Sequence, residues 1–353
     1  MSYGSGNSGD YKKLKGQMIQ VVDTDPVVYV GAWASAANMN TASDNLASMG
    51  TTTAALASGG NLPPISNKSE EWDGSSWTEG SNLNTARGMF HGAGVQTSAI
   101  VVGGEAPSVT NAAEEYDGTS YTTVTAYPGS KSDIGALGAS NTAALFFGGY
   151  PVTTESFEYD GTNYTEGGDL NTGRQDMAAA GTQTAGIAVG GYSTTYLAIT
   201  EQYNGSAWTE VGDITRPAST QSFGSAGASN TSAMIFGGEP GTTYYVYTET
   251  WDGSSWTEVN NLNTGRQSPA GFGIVTAAIC AGGYSPPAPP GNVVASNESW
   301  DGTNWTEVND LNTARGQQGG SGAFTDGLIY GGGSPPGRNA QTEAWDGTSS
   351  RGS

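Results

Sequence analysis

The chain has 353 residues, of which 55 are glycine, 13% are charged and 35% are hydrophobic, and its formal net charge is −21. A chain this acidic repels the phosphates of nucleic acids and of anionic lipids, which argues against both as partners. No run of 18 apolar residues occurs, so we expect no insertion into a membrane. Abundant Gly, Thr and aromatic residues predict short strands joined by tight turns.

Residues 1–26 differ in composition from the rest and are predicted to form an N-terminal arm. Residues 1–10 are rich in Gly and Ser, which predicts flexibility. The basic segment that follows contains Tyr11, Lys12, Lys13 and Lys15. It precedes 17–22, a candidate short strand. Such an arm suggests a docking segment, although a disordered terminus fits the same residues.

Residues 27–353 contain a repeat with two anchors. The first is a Gly-Gly pair that ends an apolar run, as in Val101-Val-Gly-Gly104. The second is a pair of aromatic residues five positions apart, with Asp-Gly (Asn-Gly once) directly after the first. That dipeptide is a strong hairpin signal, because both of its residues tolerate positive φ. The tryptophans at these aromatic positions are Trp72, Trp77, Trp208, Trp251, Trp256, Trp300 and Trp305, with tyrosines at the others. We interpret them as packing between structural units.

The period of the repeat indicates the fold. Turn dipeptides begin at residues 73, 117, 160, 204, 252, 301 and 346, so they lie 43 to 49 residues apart. Each unit offers four short strands, and a four-stranded unit of about 45 residues is typical of a propeller blade. Seven Gly-Gly pairs predict seven blades.

The two ends of the repeat predict how the ring closes. In the last copy Ser350 stands where the second aromatic residue belongs, while Trp33 is a second aromatic residue with no first half before it. We therefore expect the strand around Val27–Ala36 to complete the last blade beside residues 341–347. This arrangement gives an all-β, seven-bladed propeller whose closed ring leaves no exposed sheet edge at the junction.

These features resemble kelch repeats over residues 27–353, although the Asp-Gly turn and the Asn-Thr-Ala-Arg connector depart from kelch proper. Near-identical copies of Asp-Gly-Thr-Ser-Trp-Thr, Leu-Asn-Thr-Ala-Arg and Gly-Gly behind a non-repeat arm resemble the kelch-like structural proteins of marine bacteriophages. The resemblance implies a virion protein, such as a multi-copy tail-fibre or surface component. The arm would then dock it on other virion proteins.

One arginine per repeat precedes the first strand of the next blade. These residues are Arg87, Arg174, Arg216, Arg266 and Arg315. We expect each to bind backbone carbonyls or a carboxylate of a neighbouring blade; convergence on a central ligand is the alternative. The natural partners lie two positions before the first aromatic residue, at Glu70, Glu114, Glu201, Glu249, Glu298 and Glu343.

The sequence contains little that points to catalysis. His91 is the one histidine, so no His-based zinc or copper site is expected, and we predict no metal and no cofactor. The single Cys280 lies in an apolar run and is interpreted as a buried free thiol. We predict a protein that is not an enzyme. Acid–base catalysis by two carboxylates stays open, because no spacing singles out a pair.

The loops after the Gly-Gly pairs vary most between copies, and rigid scaffolds carry binding residues on such loops. Exposed Tyr beside Thr, Ser and Asn is typical of a sugar- or protein-binding rim. The candidate binding residues are Tyr192, Tyr196, Tyr244, Tyr245, Tyr247 and Tyr284. The leading hypothesis is a virion component that binds a host-surface glycan or protein. The alternatives are a capsid-decoration or tail-assembly part without ligand, and a polysaccharide-degrading enzyme. Ordinary tolerance of loops to change also explains the variation.

Overall fold

The computed structural model describes residues 10–14, 17–21, 31–61, 64–216, 223–239, 244–285, 293–334 and 337–347. These residues form seven antiparallel sheets of four strands and two small hairpins. No helix able to cross a membrane occurs among them. The predicted all-β, seven-bladed propeller is therefore confirmed.

The four strands of each blade follow the chain from the channel to the rim, except that the outermost strand of blade 7 comes from the N-terminal side. Blade 1 contains Ala47–Thr51, Ala54–Ser58, Ser69–Trp72 and Trp77–Glu79; blade 2 contains His91–Val95, Ser98–Val102, Ala113–Tyr116 and Tyr121–Thr123. Blade 3 contains Gly135–Ser140, Ala143–Phe147, Ser156–Tyr159 and Tyr164–Glu166; blade 4 contains Ala178–Thr182, Ala185–Val189, Thr200–Tyr203 and Trp208–Glu210. Blade 5 contains Gly224–Ser229, Ser232–Phe236, Thr248–Trp251 and Trp256–Val259; blade 6 contains Ala270–Ile274, Ala277–Ala281, Asn297–Trp300 and Trp305–Glu307. Blade 7 contains Gly319–Ala323, Asp326–Tyr330, Thr342–Asp346 and Ala32–Ala36.

The innermost strand of every blade contacts those of both neighbours, and blade 7 contacts blade 1 in the same way. The ring closes within blade 7, where Ala32–Ala36 pairs antiparallel with Thr342–Asp346 and places Trp33 opposite Trp345. The predicted closure is confirmed for these residues, while residues 27–30 lie outside the described part of the chain. The seven innermost strands surround a central channel with many Gly and Ala residues in its wall.

The core lies between blades, as expected from the repeated aromatic residues. Trp72 and Trp77 lie opposite each other on neighbouring strands, with ring centroids 5.5 Å apart. Trp77 also packs 4.7 Å from Tyr330 of blade 7 and donates from Nε1 to Thr342 Oγ1 at 2.8 Å. Trp77 therefore contributes to two blades at once. Cys280 is fully buried as a free thiol in this core, as predicted.

The Asp-Gly hairpins form as predicted, but their two residues have different roles. Positive φ occurs at the Gly alone, as at Gly74 with φ +94°. Asp73 instead accepts the backbone N–H groups of Ser75 and Ser76 at Oδ1, each at 2.8 Å. The loop thus has four residues, and the carboxylate organises it as an Asx turn.

Part of the N-terminal arm forms a hairpin of its own. Asp10–Leu14 pairs antiparallel with Gln17–Val21, so the candidate strand is confirmed. Tyr11, Lys12 and Lys13 of the predicted docking segment lie in the partner strand. Lys15 lies outside the described residues.

Candidate functional site

Buried ion pairs fix the connectors that lead from one blade to the next. In each pair an arginine of the connector meets a glutamate in the third strand of the following blade. The pairs are Arg87–Glu114, Arg174–Glu201, Arg216–Glu249, Arg266–Glu298 and Arg315–Glu343, and the side chains are at most 2% exposed. The predicted glutamate partners are thus confirmed for five of the six glutamates. This burial leaves the arginines no access to a ligand in the channel.

The pair in blade 2 shows the geometry. Arg87 Nη2 donates to Glu114 Oε1 at 2.8 Å, and Nη1 donates to the carbonyl of Ala112 at 2.7 Å. Burial lowers the pKa of Arg87, and the nearby charge of Glu114 opposes that shift. The arginine therefore binds both a carboxylate and backbone carbonyls, as the sequence suggested. Its role in the fold is to hold the connector against the sheet.

The variable loops lie on the same side of the ring as these connectors. In blade 1 the second Gly of the Gly-Gly pair, Gly60, donates its N–H to the carbonyl of Arg87 at 3.0 Å, and Gly149 bonds Arg174 in the same way at 2.9 Å. We call this side the loop face; it consists of the connectors and of the segments after each Gly-Gly pair. The opposite face carries the short turns between the first two strands and the Asp-Gly turns.

The six predicted tyrosines lie on the loop face, but each is half-buried rather than exposed. Tyr192 packs edge to face on Tyr196, with centroids 5.3 Å apart, and Tyr245 packs in the same way on Tyr247 at 5.1 Å. These contacts explain the partial burial. The edges and hydroxyl groups of paired rings still offer polar and apolar contacts to a ligand.

Tyr284 lies where blades 6 and 7 meet on this face. Its hydroxyl donates to Gln317 Oε1 at 3.2 Å, and its ring covers Gly316 closely enough to exclude a side chain there. Tyr244 is also half-buried, in the loop of blade 5. The structure therefore distributes the six tyrosines over blades 4, 5 and 6 and does not gather them in one cluster.

Sequence reasoning missed Tyr150, which is 49% exposed beside Val152 at 41%. Tyr150 directly follows a Gly-Gly pair, as Tyr192 and Tyr284 do. In all three blades this residue pairs with a connector residue next to the channel. The position directly after the Gly-Gly pair is the sequence signal that identifies these three tyrosines.

A ring of residues in the left-handed backbone conformation surrounds the channel mouth on the loop face. These non-glycine residues are Asn45, Met89, Asp133, Asp176, Ser268 and Gln317, with φ between 47° and 55°. The N–H of Asp133 donates to the carbonyl of Met89 at 3.4 Å, and that of Asp176 donates to Asp133 at 3.3 Å. Left-handed residues with side chains are uncommon and concentrate at functional sites.

The channel mouth forms a cavity of about 510 Å³ lined by His91, Asp133 and Asp176 among others. Ser132 Oγ donates to Asp133 and Gln175 Nε2 donates to Asp176, each at 3.0 Å. Enclosure by the channel and the nearby charge of Asp176 raise the pKa of Asp133 to about 6. Desolvation lowers the pKa of His91, and the nearby charge of Asp176 opposes that shift. The cavity therefore presents the carboxylates of Asp133 and Asp176 and the imidazole of His91 as hydrogen-bond acceptors.

The arrangement suits a hydroxyl-rich or cationic ligand, because carboxylates and a neutral imidazole accept hydrogen bonds. Within the described ranges, no three His, Cys, Asp or Glu side chains are placed to hold a metal ion. The sequence analysis did not single out these residues. The available signal was the variable residue two positions after each connector arginine, as in Arg174-Gln-Asp176.

Comparison with known proteins identifies a fold and no family. No family model matches the chain, and no curated protein matches it. Among solved structures, one described as "Structure of YjhT" is similar, with a TM-score of 0.60 and 12% sequence identity over 78% of this chain and 99% of that chain. A likeness at this identity shows the fold alone. The chain is a seven-bladed β-propeller.

Proposed function

We propose that this propeller is a non-enzymatic surface component of a bacteriophage particle, in the tail fibre or on another exposed position, and that its loop face binds a host-surface glycan. The placement on a virion rests on the resemblance of the repeat arrays to kelch-like phage structural proteins. The arm of residues 1–26 docks the propeller on other virion proteins. Many copies per particle let weak individual sites act together.

The observation that supports binding is the asymmetry of the two faces. Among the tyrosines of the described propeller, residues 31–347, that are partly or fully exposed, all except Tyr164 lie in the loops after the Gly-Gly pairs. The same face contains the channel mouth with Asp133 and Asp176. Aromatic rings stack on the apolar faces of sugars, and acceptors at the mouth bind sugar hydroxyl groups. The opposite face has short turns, and a binding surface there would have few side chains to use.

The binding proposal is tested by particle adsorption with variants of two loop-face tyrosines, the exposed Tyr150 and the half-buried Tyr192. Tyr150→Ala and Tyr192→Ala together are expected to reduce adsorption to host cells at least tenfold. The matched control is Val95→Ala with Ile274→Ala, two exposed apolar residues at 39% and 53% exposure on the opposite face. Equal adsorption by the two double variants would contradict the proposal and favour a decoration or assembly role.

The location is tested by immunogold labelling of intact particles with an antibody against the propeller. Gold at the tail tip or fibres supports host recognition, whereas gold over the head favours capsid decoration. No gold on any particle would contradict the virion placement. Deletion of residues 1–26 is expected to abolish incorporation into particles without changing the isolated propeller.

A polysaccharide-cleaving enzyme is the second candidate, and the two carboxylates at the channel mouth favour it. Asp133, with its raised pKa, would serve as general acid, and Asp176 as base or nucleophile. Release of reducing ends from host polysaccharide, abolished in both Asp133→Asn and Asp176→Asn, would support this function. Glycan binding without any release, by the unaltered protein, would exclude cleavage of that glycan.

A further inference from the structure

Blade 1 differs from its sister blades at the buried ion pair. Ser43 stands where blade 2 has Arg87, whereas the glutamate is retained as Glu70. Glu70 is 1% exposed and Ser43 is 2% exposed. Blade 1 has thus lost the buried cation and kept the buried carboxylate.

The carboxylate of Glu70 has the same amide donors as its counterpart in blade 2. Asn40 N donates to Oε2 at 2.6 Å and Thr41 N donates to Oε1 at 2.7 Å. The corresponding bonds to Glu114 measure 2.7 and 3.2 Å. Glu114 also meets Arg87, but no Lys or Arg of the described chain forms an ion pair with Glu70. The local fold holds Glu70 in place without a countercharge.

Blade 3 shows the other outcome of losing the arginine. Lys131 replaces the arginine and bonds outward to the Pro151 carbonyl at 3.0 Å, and Phe157 replaces the glutamate. Phe157 packs edge to face on Tyr127 at 5.4 Å. The buried carboxylate has been removed there, and the lysine in the place of the arginine pairs with the half-exposed Glu155 at 3.8 Å. Blade 1 therefore stands out, because one buried charge is hard to maintain alone.

A small cavity lies beside Glu70, at the position that the arginine guanidinium occupies in blades 2, 4, 5, 6 and 7. Ser43, Gly59, Lys68 and Glu70 are among the residues that line it. In blade 2 the guanidinium donates to the carbonyls of Gly103 and Ala112, whose counterparts here are Gly59 and Lys68. The cavity has a volume of about 10 Å³, close to the space that one water molecule needs.

The side chain of Lys68 does not supply the missing charge. Its Nζ pairs with Glu79, and the side chain is 42% exposed. The ammonium group is therefore directed to the surface, while the backbone carbonyl of the same residue lies at the cavity. Among the described residues no other Lys or Arg pairs with Glu70, so we consider a free cation as the source of positive charge.

We propose that blade 1 binds one small monovalent cation, ammonium or an alkali ion, between Glu70, Ser43 Oγ and the carbonyls of Gly59 and Lys68. Oxygen ligands of this kind suit hard cations. One carboxylate balances a single positive charge, whereas a calcium site commonly uses several. The cation takes the place that the guanidinium occupies in blades 2, 4, 5, 6 and 7.

Thermal unfolding of the full chain in different chlorides tests the site. Potassium, sodium or ammonium chloride, at equal concentration, is compared with tetramethylammonium chloride, whose cation is too large for the cavity. Because all four salts screen the net negative charge equally, a saturable difference between them, lost in a variant of the site, indicates a bound ion. We expect at least one small cation to raise Tm by about 2–5 °C in a saturable manner. Equal Tm in all four salts would overturn the proposal.

Two variants assign the effect to Glu70. Ser43→Arg supplies a covalent guanidinium, and Glu70→Gln removes the charge while keeping the side-chain size, so both are expected to abolish the difference between salts. Glu70→Gln decides the matter if Ser43→Arg does not fold. Lys68→Met is the control and is expected to retain the difference. A salt difference that survives in Glu70→Gln, or that disappears in Lys68→Met, would contradict the assignment.

Discussion

At the scale of single residues, the buried arginine–glutamate pairs show why the connector sequence repeats so closely. Arg87 and Glu114 are both buried, so either residue alone would leave a buried charge without an ion-pair partner. The pair can therefore be kept or lost together at little cost. Blade 3 has lost the buried pair: Phe157 replaces the glutamate and packs on Tyr127, and Lys131 replaces the arginine and pairs with Glu155 instead.

We predict that Arg87→Met lowers the free energy of unfolding by about 3–5 kcal/mol, because it leaves Glu114 buried and unpaired. Adding Glu114→Leu is expected to recover part of that loss, because it removes the unpaired charge, although the N–H groups of Asn84 and Thr85 then lose their acceptor. Urea unfolding of the single and double variants measures both values. The exposed pair Lys68–Glu79 provides the control, since Glu79→Gln is expected to change stability by less than about 1 kcal/mol. Additive losses in the double variant would contradict this account.

The raised pKa of Asp133 predicts a dependence of stability on pH. Its pKa of about 6 in the folded protein exceeds the value of about 3.9 in an unfolded chain. Between these values the folded state binds more protons, so the free energy of unfolding falls as pH rises from about 4 to 6. Asp133→Asn is expected to remove this slope and to stabilise the protein at pH 7 by on the order of 1–2 kcal/mol. Urea unfolding at pH 4.5 and 7 measures the pH dependence of stability in both proteins. An unchanged slope in Asp133→Asn would contradict the assignment to Asp133.

At the scale of elements, the Asp-Gly turns depend on a side-chain acceptor. Asp252 Oδ1 accepts the N–H groups of Ser254 and Ser255 at 2.8 Å each, and Asn204 does the same in blade 4 at 3.0 Å. An amide oxygen thus replaces a carboxylate without changing the turn. What the position requires is an acceptor and a following Gly.

We predict that Asp73→Ala lowers Tm, because two backbone N–H groups lose their acceptor, and that Asp73→Asn has little effect. The hydrogen bonds from Ser75 and Ser76 lower the pKa of Asp73 to about 2. The stabilisation by the carboxylate is therefore complete above pH 4 and is lost as pH falls towards 2. Thermal unfolding at pH 7 and pH 3 measures the difference between the Asp and Asn proteins. Equal effects of Ala and Asn at pH 7 would contradict this role.

At the scale of elements, some features of the fold and of the candidate site can be predicted from the sequence and others cannot. The hairpins, blade number and ion-pair partners follow from short, repeated patterns whose contacts recur at a fixed spacing. The left-handed conformation of Met89 and Gln317 does not follow from residue type, because neither side chain favours it. Hydrogen bonds between connectors of neighbouring blades, such as that from Asp133 to Met89, accompany it. The partial burial of Tyr192 likewise depends on its contact with Tyr196.

At the scale of the whole molecule, stability depends on closing the ring with a strand from the other end of the chain. Ala32–Ala36 covers the edge of Thr342–Asp346, and Trp33 packs on Trp345 of its own blade at 5.4 Å and on Phe272 of blade 6 at 6.3 Å. Each blade packs against two neighbours, so an open ring would leave two blades with one side uncovered. The sequence predicts this closure because the half-repeats at the two ends complement each other.

We predict that deleting residues 1–36 lowers Tm strongly and causes self-association through the exposed edge strand. Loss of Trp33 alone is expected to cost about 3–5 kcal/mol. Deleting residues 1–30 is the matched control, because it keeps the closing strand together with Gly31, whose carbonyl accepts a bond from Asn309 Nδ2 at 2.6 Å. Thermal unfolding and size-exclusion chromatography compare the two truncated proteins. A synthetic peptide of residues 31–40 is expected to restore the monomer in the shorter protein, since it supplies the missing strand without a covalent link. Equal Tm for both deletions would show that the ring does not need this strand.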